Sequence, residues 1–109
     1  MRSTRLTNWI FQLVSSMTYH LKFTTAYKKG YKRAKKRGLD LGLLDAVVEE
    51  LRTGRKLDAK YRDHALHGDF EGFRECHILP NRLLVYLVEN EILTLTLTDT
   101  GTHSDIFDE

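Results

Sequence analysis

One cysteine, Cys76, and one proline, Pro80, are all that this 109-residue chain holds of either type. A lone thiol cannot close an internal disulfide, so the chain is no disulfide scaffold and implies no oxidising compartment; the cytoplasm is the default. The chain has no C-x-x-C pair, which removes the commonest zinc signature. It also lacks a glycine-rich loop of the G-x-G-x-x-G or G-x-x-x-x-G-K-S type, which argues against nucleotide-dependent chemistry. No apolar run approaches the roughly 20 residues that span a bilayer, so no membrane contact is expected. Repeats, low-complexity runs and Pro/Gly/Ser linkers are missing too. The length then fits one domain with one modest core.

Cations are scarce in the second part of the chain. Residues 63–109 carry 2 Lys or Arg against 10 acids, whereas residues 1–62 carry 15 against 5. The small overall charge of +2 therefore hides a basic half and an acidic half. Such segregation suggests a polyanionic partner met by one surface. The plain alternative is a pair of solvated faces, because charge reports on association and not on fold.

Residues 1–16 read as an extension. Arg2 and Arg5 precede the apolar residues Trp9, Ile10, Phe11, Leu13 and Val14. There is no convincing cleavage site for a signal peptide. The pattern of the domain begins after Met17, so residues 17–109 form the domain and the segment before them is an upstream extension or a misplaced start. A surface-seeking amphipathic helix is the other reading.

The order of elements follows from periodicity. Tyr19 to Thr24 suits a short strand. A helix from Thr24 or Thr25 to Arg37 follows, with Thr as its N-cap, Gly30 inside it and Gly38 as its stop. Asp40 caps a second helix, whose stripe is Leu43, Leu44, Val47, Val48 and Leu51. Gly54 ends it, and residues 55–70 read as loop. Gly72 to Leu79 is a strand, with a turn or bulge at Pro80-Asn81. The almost wholly apolar Leu83 to Val88 predicts a central strand. A tight turn at Glu89-Asn90-Glu91 leads to Ile92–Thr98, where Leu93, Leu95 and Leu97 alternate inward against Thr94, Thr96 and Thr98. The expected fold is α+β in two layers, β-α-α-β-β-β, with a small antiparallel sheet covered on one face by two helices. The other face is expected to lie open and to offer room for a site.

Two groups of residues carry chemistry. Lys28, Lys32 and Lys36 stack at i, i+4 and i+8 on the first helix. Like charges at that spacing cost roughly 0.2–0.5 kcal/mol per pair, a cost that contact with phosphates would explain. Tyr27 and Tyr31 suit packing better than base stacking. The second group is histidine. Apart from His20, the histidines are His64, His67, His77 and His103, all in the acidic half. RNA cleavage by internal attack needs a base for the 2′-hydroxyl, an acid for the departing 5′-oxygen and positive charge for the phosphate. Histidine performs the first two near neutral pH, and Arg or Lys the third, with no metal or cofactor required. Structural hydrogen bonding is the rival role for any single His. A zinc site drawn from His64, His67, Cys76 and His77 matches no strong spacing, and Cys76 reads as a buried thiol.

The segment Asp63-His64-Ala65-Leu66, then Gly68, then Gly72-Phe73-Arg74-Glu75-Cys76-His77 before Pro80 resembles the central signature of the YafQ branch of the RelE-like toxins. In that signature a D-H-x-L loop leads to a G-[YF]-R-[DE]-x-H strand and a Pro turn. The tail Thr100-Gly101-Thr102-His103-Ser104-Asp105-Ile106-Phe107 resembles the family's closing T-G-[ST]-H-x-x-[LI]-F. The likeness spans about residues 19–107. It implies an endoribonuclease that cuts messenger RNA in the ribosomal decoding site, and a cognate antitoxin that silences it in an oligomeric complex, the pair often repressing its own operon. Carried over by position, His64, His77 and His103 fall on the active-site histidines and Phe107 on the tail aromatic. Asn81 stands where the family usually has Asp, and Asp99 where it usually has Arg. Asn cannot accept a proton at neutral pH, though it can position a group. Asp99 would favour a charged His103 if the two are close.

In this reading His103 is the general acid and His64 or His77 the base, with Asn81 completing the site. Lys28, Lys32, Lys36, Lys56, Lys60, Arg62, Arg74 and Phe107 face RNA, although Arg74 suits a structural role better. Two other classes remain: a binding module for ribosome, RNA or antitoxin whose catalysis is weakened or lost through Asn81 and Asp99, and a hydrolase or zinc enzyme of unrelated substrate.

Overall fold

The computed structural model describes residues 18–107. The extension read at residues 1–16 lies outside the described residues. Strand β1 spans His20–Phe23, helix α1 Thr25–Lys36 and helix α2 Leu41–Arg52. Strands β2 (His64–Ala65), β3 (Arg74–Leu79), β4 (Arg82–Glu89) and β5 (Thr94–Gly101) follow, and a five-residue helix α3 (His103–Phe107) is the last described element.

Local chemistry sets the helix starts. The Thr24 hydroxyl accepts from the Tyr27 amide at 3.0 Å, and the Asp40 carboxylate accepts from the Gly42 amide at 2.9 Å. Each satisfies an amide that has no partner inside its helix. Gly30 has a packing reason. A β-carbon there would stand 2.3 Å from the Thr100 carbonyl oxygen, so glycine lets α1 lie directly on β5. The helix accepts about 1 kcal/mol of lost propensity for that approach.

The sheet order is β1-β5-β4-β3-β2. The two-layer α+β expectation holds, but the sheet is mixed rather than wholly antiparallel. β1 pairs parallel with β5, while the other neighbours run antiparallel. The two helices carry the chain across one face between β1 and the meander, and this crossover leaves β1 beside the last strand in parallel. The stretch read as loop contains β2 and short 3₁₀ turns at Ala59–Tyr61 and Gly68–Phe70. A third 3₁₀ turn, Asn90–Ile92, replaces the expected tight turn. Leu93 therefore stands in a left-handed turn conformation with φ 47°, outside the strand in which it was expected to point inward.

Tyr27, Leu44, Val47, Val48 and Leu51 of the helices pack against Cys76, Leu84, Tyr86, Leu95 and Leu97 of the sheet. Each fully buried aliphatic side chain contributes roughly 1.5–3 kcal/mol. Leu43, placed in the same stripe by sequence, is 41% exposed and lies outside this core. The far face is less open than the alternation of β5 suggests. Leu83 and Val85, which alternate with Leu84 and Tyr86 and so point away from the helices, are fully buried. α3 turns back against β5, and the Phe107 ring meets Phe70 edge-on at 5.2 Å between centroids.

One irregularity re-aims the end of β5. Val85 lies opposite Asp99 and Tyr86 opposite Leu97, so Thr98 is an extra residue. Such a bulge shifts the alternation by one. It turns Asp99 and Gly101 to the far face and Thr100 toward α1.

Candidate active site

Register places the histidines. His77 in β3 lies opposite Leu83, which lies opposite Gly101, and His103 follows two residues later. One row away, His64 in β2 lies opposite Glu75, which lies opposite Val85, which lies opposite Asp99. Side chains two residues apart on a strand share a face, so the rows of His64 and His77 both present to the side away from the helices. The His64 and His77 rings are 6.3 Å apart between centroids.

Both rings are tied by the main chain. His64 Nδ1 lies 2.7 Å from the Arg62 carbonyl and His77 Nδ1 lies 3.3 Å from the Pro80 carbonyl. A carbonyl oxygen only accepts, so each Nδ1 carries the proton and each Nε2 is left for other work. His77 Nε2 lies 3.7 Å from a Glu75 carboxylate oxygen, and Glu75 is only 3% exposed. An ion pair exists there when the ring holds both protons.

His64 is steadied from behind by its neighbour. Asp63 accepts from Arg74 Nη2 at 2.9 Å and from the hydroxyl of Tyr86. Tyr86 is a core residue, so this triad fastens β2 to the sheet. Burial, and then the Asp63 hydrogen bond, raise the Tyr86 phenol above its ordinary value and keep it a donor. The same triad gives Arg74 a structural partner.

His103 opens α3 and is exposed, its ring 5.5 Å from that of Phe107. A reciprocal cap starts this helix: the Thr102 amide donates to Asp105 at 3.0 Å and the Asp105 amide donates to the Thr102 hydroxyl at 3.1 Å. Three arginines surround the same carboxylate. Arg37 lies at 3.0 Å, Arg33 at 3.5 Å and Arg82 at 3.7 Å. The Arg37 hydrogen bond, ahead of the others, holds the Asp105 carboxyl well below the usual range.

The cations fall into two places. Lys60 and Arg62 share a cleft of about 540 Å³ with His77, Tyr61, Pro80 and the exposed Leu43. Lys28 and Lys32 line a separate groove beside Phe23 and Tyr31, and Lys36 ends α1. The helix lysines therefore do not converge on the histidines. Lys56 is exposed in the loop after α2, and Asn81 is exposed in the turn next to Pro80. Asp99 is half-buried and accepts from the Thr100 amide at 2.9 Å; among the described residues no hydrogen bond or ion pair joins it to His103. Desolvation raises its carboxyl above the ordinary value. Cys76 is fully buried and its thiol is pushed up to about 12, as expected of a packing residue. Among the described residues no cluster of His, Cys, Asp or Glu is arranged to hold a metal ion, and no helix is long and apolar enough to cross a membrane.

The sequence did not single out Asp63, Glu75 or the Arg33-Arg37-Arg82-Asp105 cluster. A signal existed in the i, i+4 spacing of Arg33 and Arg37 and in the T-x-x-D capping box of the tail.

The family model for the bacterial YafQ toxin of type II toxin–antitoxin systems matches residues 19–108. This chain belongs to the YafQ toxin family. The mRNA interferase toxin YafQ of Escherichia coli K12 is 32% identical over 88 residues, covering 80% of this chain and 94% of that one. A chain in the crystal structure of the E. coli DinJ–YafQ toxin–antitoxin complex superposes with a TM-score of 0.76 at 31% identity, over 83% of this chain and 98% of that one. A metal-bound toxin from Helicobacter pylori gives 0.77 at 41% identity, over 84% of this chain and 100% of that one. The mixed sheet under two helices is thus the YafQ architecture.

Proposed function

We propose that this chain is an mRNA interferase that cleaves messages on the translating ribosome by metal-independent acid–base chemistry. The observation that carries the reading is the pair His64 and His77, rings 6.3 Å apart and each anchored through Nδ1, beside the cations Lys60 and Arg62. His64 or His77 takes the proton of the 2′-hydroxyl as its oxygen bonds to phosphorus. The bond from phosphorus to the 5′-oxygen breaks, and His103 gives that oxygen a proton. The products are a 2′,3′-cyclic phosphate and a 5′-hydroxyl. Lys60 and Arg62 steady the charged phosphate. Asn81 orients a group beside His77 by hydrogen bonding, and Phe107 offers a face to a base. Lys28, Lys32, Lys36 and Lys56 hold ribosomal RNA further away.

Family membership and the names of its relatives support this reading. The E. coli DinJ–YafQ complex supports a cognate antitoxin as partner, and action on ribosomes would be met in the cytoplasm. Asn81 and Asp99 favour a second reading, a toxin of reduced power, since neither supplies the acid or the cation found in the family pattern. Cleavage mapped to the nucleotide on translating ribosomes decides between them. Cuts made by the chain and lost in His103→Ala support the nuclease. Weak cuts support the toxin of reduced power, and ribosome binding without cuts supports a non-catalytic binding module.

A further inference from the structure

We infer that Asp105 is the positioning residue for His103 and Phe107, docking α3 to the end of the sheet through Arg33, Arg37 and Arg82. The inference rests on the reading of His103 as the acid and adds what holds that acid in place.

α3 has five residues, far short of the roughly 12–15 at which an isolated helix becomes even marginally stable. It needs an anchor. The His103 side chain makes ring contact with Phe107 but no hydrogen bond or ion pair among the described residues, so it is not one. Asp105 is. Its carboxylate takes the Thr102 amide just before the helix and reaches arginines from two other elements, Arg33 and Arg37 near the end of α1 and Arg82 at the start of β4. Arg33 also donates to the Thr100 carbonyl at 3.1 Å, which ties α1 and the end of β5 to the same point.

The turn into α3 is shaped around this carboxylate. Gly101 has φ 152°, and a β-carbon there would stand 2.8 Å from the Asp105 β-carbon and 2.9 Å from Arg33 Nη2. Arg82 is also committed: its side chain is 13% exposed, and its Nη2 is buried without a hydrogen-bond partner. Without the carboxylate, three guanidiniums would face one another with no anion bonded between them. Removing Asp105 thus replaces attraction by repulsion at the seat of α3.

The test uses the full chain with ribosome-bound message under single-turnover conditions, comparing wild type, Asp105→Asn, Asp105→Glu and His103→Ala. Misplacing a reacting group by about 1 Å can cost roughly a hundredfold, so Asp105→Asn is expected to slow the cleavage step roughly tenfold to a hundredfold with half-saturation unchanged. Asp105→Glu should restore part of the rate. By NMR, ring contacts between His103 and Phe107 should vanish in Asp105→Asn while the His64 and His77 resonances stay in place. Wild-type rate in Asp105→Asn alongside an inactive His103→Ala overturns the inference. So does a rate loss accompanied by shifted His64 and His77 signals, which marks a general structural role. Retained cleavage in His103→Ala sinks the acid assignment instead, and the ring contacts then still decide whether Asp105 seats α3.

Discussion

The carbonyl oxygen of Thr100 occupies the space into which a side chain on Gly30 would grow, at 2.3 Å from the position of its β-carbon. The obstacle is backbone, held by the Thr100 hydroxyl on the Leu83 carbonyl at 2.8 Å and by Arg33. In an open helix Gly→Ala would stabilise. Here Gly30→Ala is expected to destabilise by about 1–3 kcal/mol, the usual cost of overpacking. Urea denaturation followed by circular dichroism measures it, and an unchanged or raised midpoint would show that α1 can lift off β5 freely.

Tyr86→Phe removes one donor from Asp63 and leaves Arg74 in place. The stability loss should be about 0.5–1.5 kcal/mol, the net worth of one such bond. The kinetic loss should exceed what that figure suggests, because β2 is two residues long and Asp63 is the residue before His64. Cleavage assays on Tyr86→Phe, Asp63→Asn and the double variant give the coupling. Additive losses would show that the two residues do not act as one support.

Acid should remove the contribution of Asp105. Its folded carboxyl titrates below the unfolded value of about 3.9, so its stabilisation is complete above that pH and fades as the pH falls through the folded value. The urea midpoints of wild type and Asp105→Asn should differ most near neutrality and draw together on acidification. Asp99, raised chiefly by burial and to a lesser degree by the Asp105 charge, works in the opposite direction in wild type. A gap that stays constant or widens on acidification would remove charge from the account of this site.

Metal-independent cleavage predicts that activity survives dialysis against a chelator, whereas replacing the base among His64→Ala and His77→Ala lowers it roughly 10²–10⁴-fold. Single-turnover cleavage after chelation checks both. Loss on chelation and return with added metal would assign the site a metal instead.

Much of this was legible in the residues. The stripe Leu44-Val47-Val48-Leu51 and the alternation of Leu95 and Leu97 foretold the face each element buries, because burial and periodicity are local. The motif histidines were found from their neighbours in sequence. What escaped depends on tertiary partners. Leu43 satisfies the helical period but lines the cleft beside His77 instead of the core. Asp105 looked like one more acid in an acidic tail until α1 and β4 brought their arginines to it. Lys28, Lys32 and Lys36 drew attention by their spacing, yet the rows of His64 and His77 face away from the helical layer. No periodic signal marks the bulge at Thr98, which decides on which side Asp99 and Thr100 fall.

The parallel pairing of β1 with β5 has a consequence for the order in which the protein is made. Residue 20 waits for residue 94, and α3 with His103 comes later still. Contacts so distant along the chain form late, because the intervening loop must close first. On a ribosome the first strand emerges early and has no mate until β5 has been synthesised. A growing chain that has not been extended past residue 103 therefore has neither the partner of its first strand nor the third histidine of the proposed site.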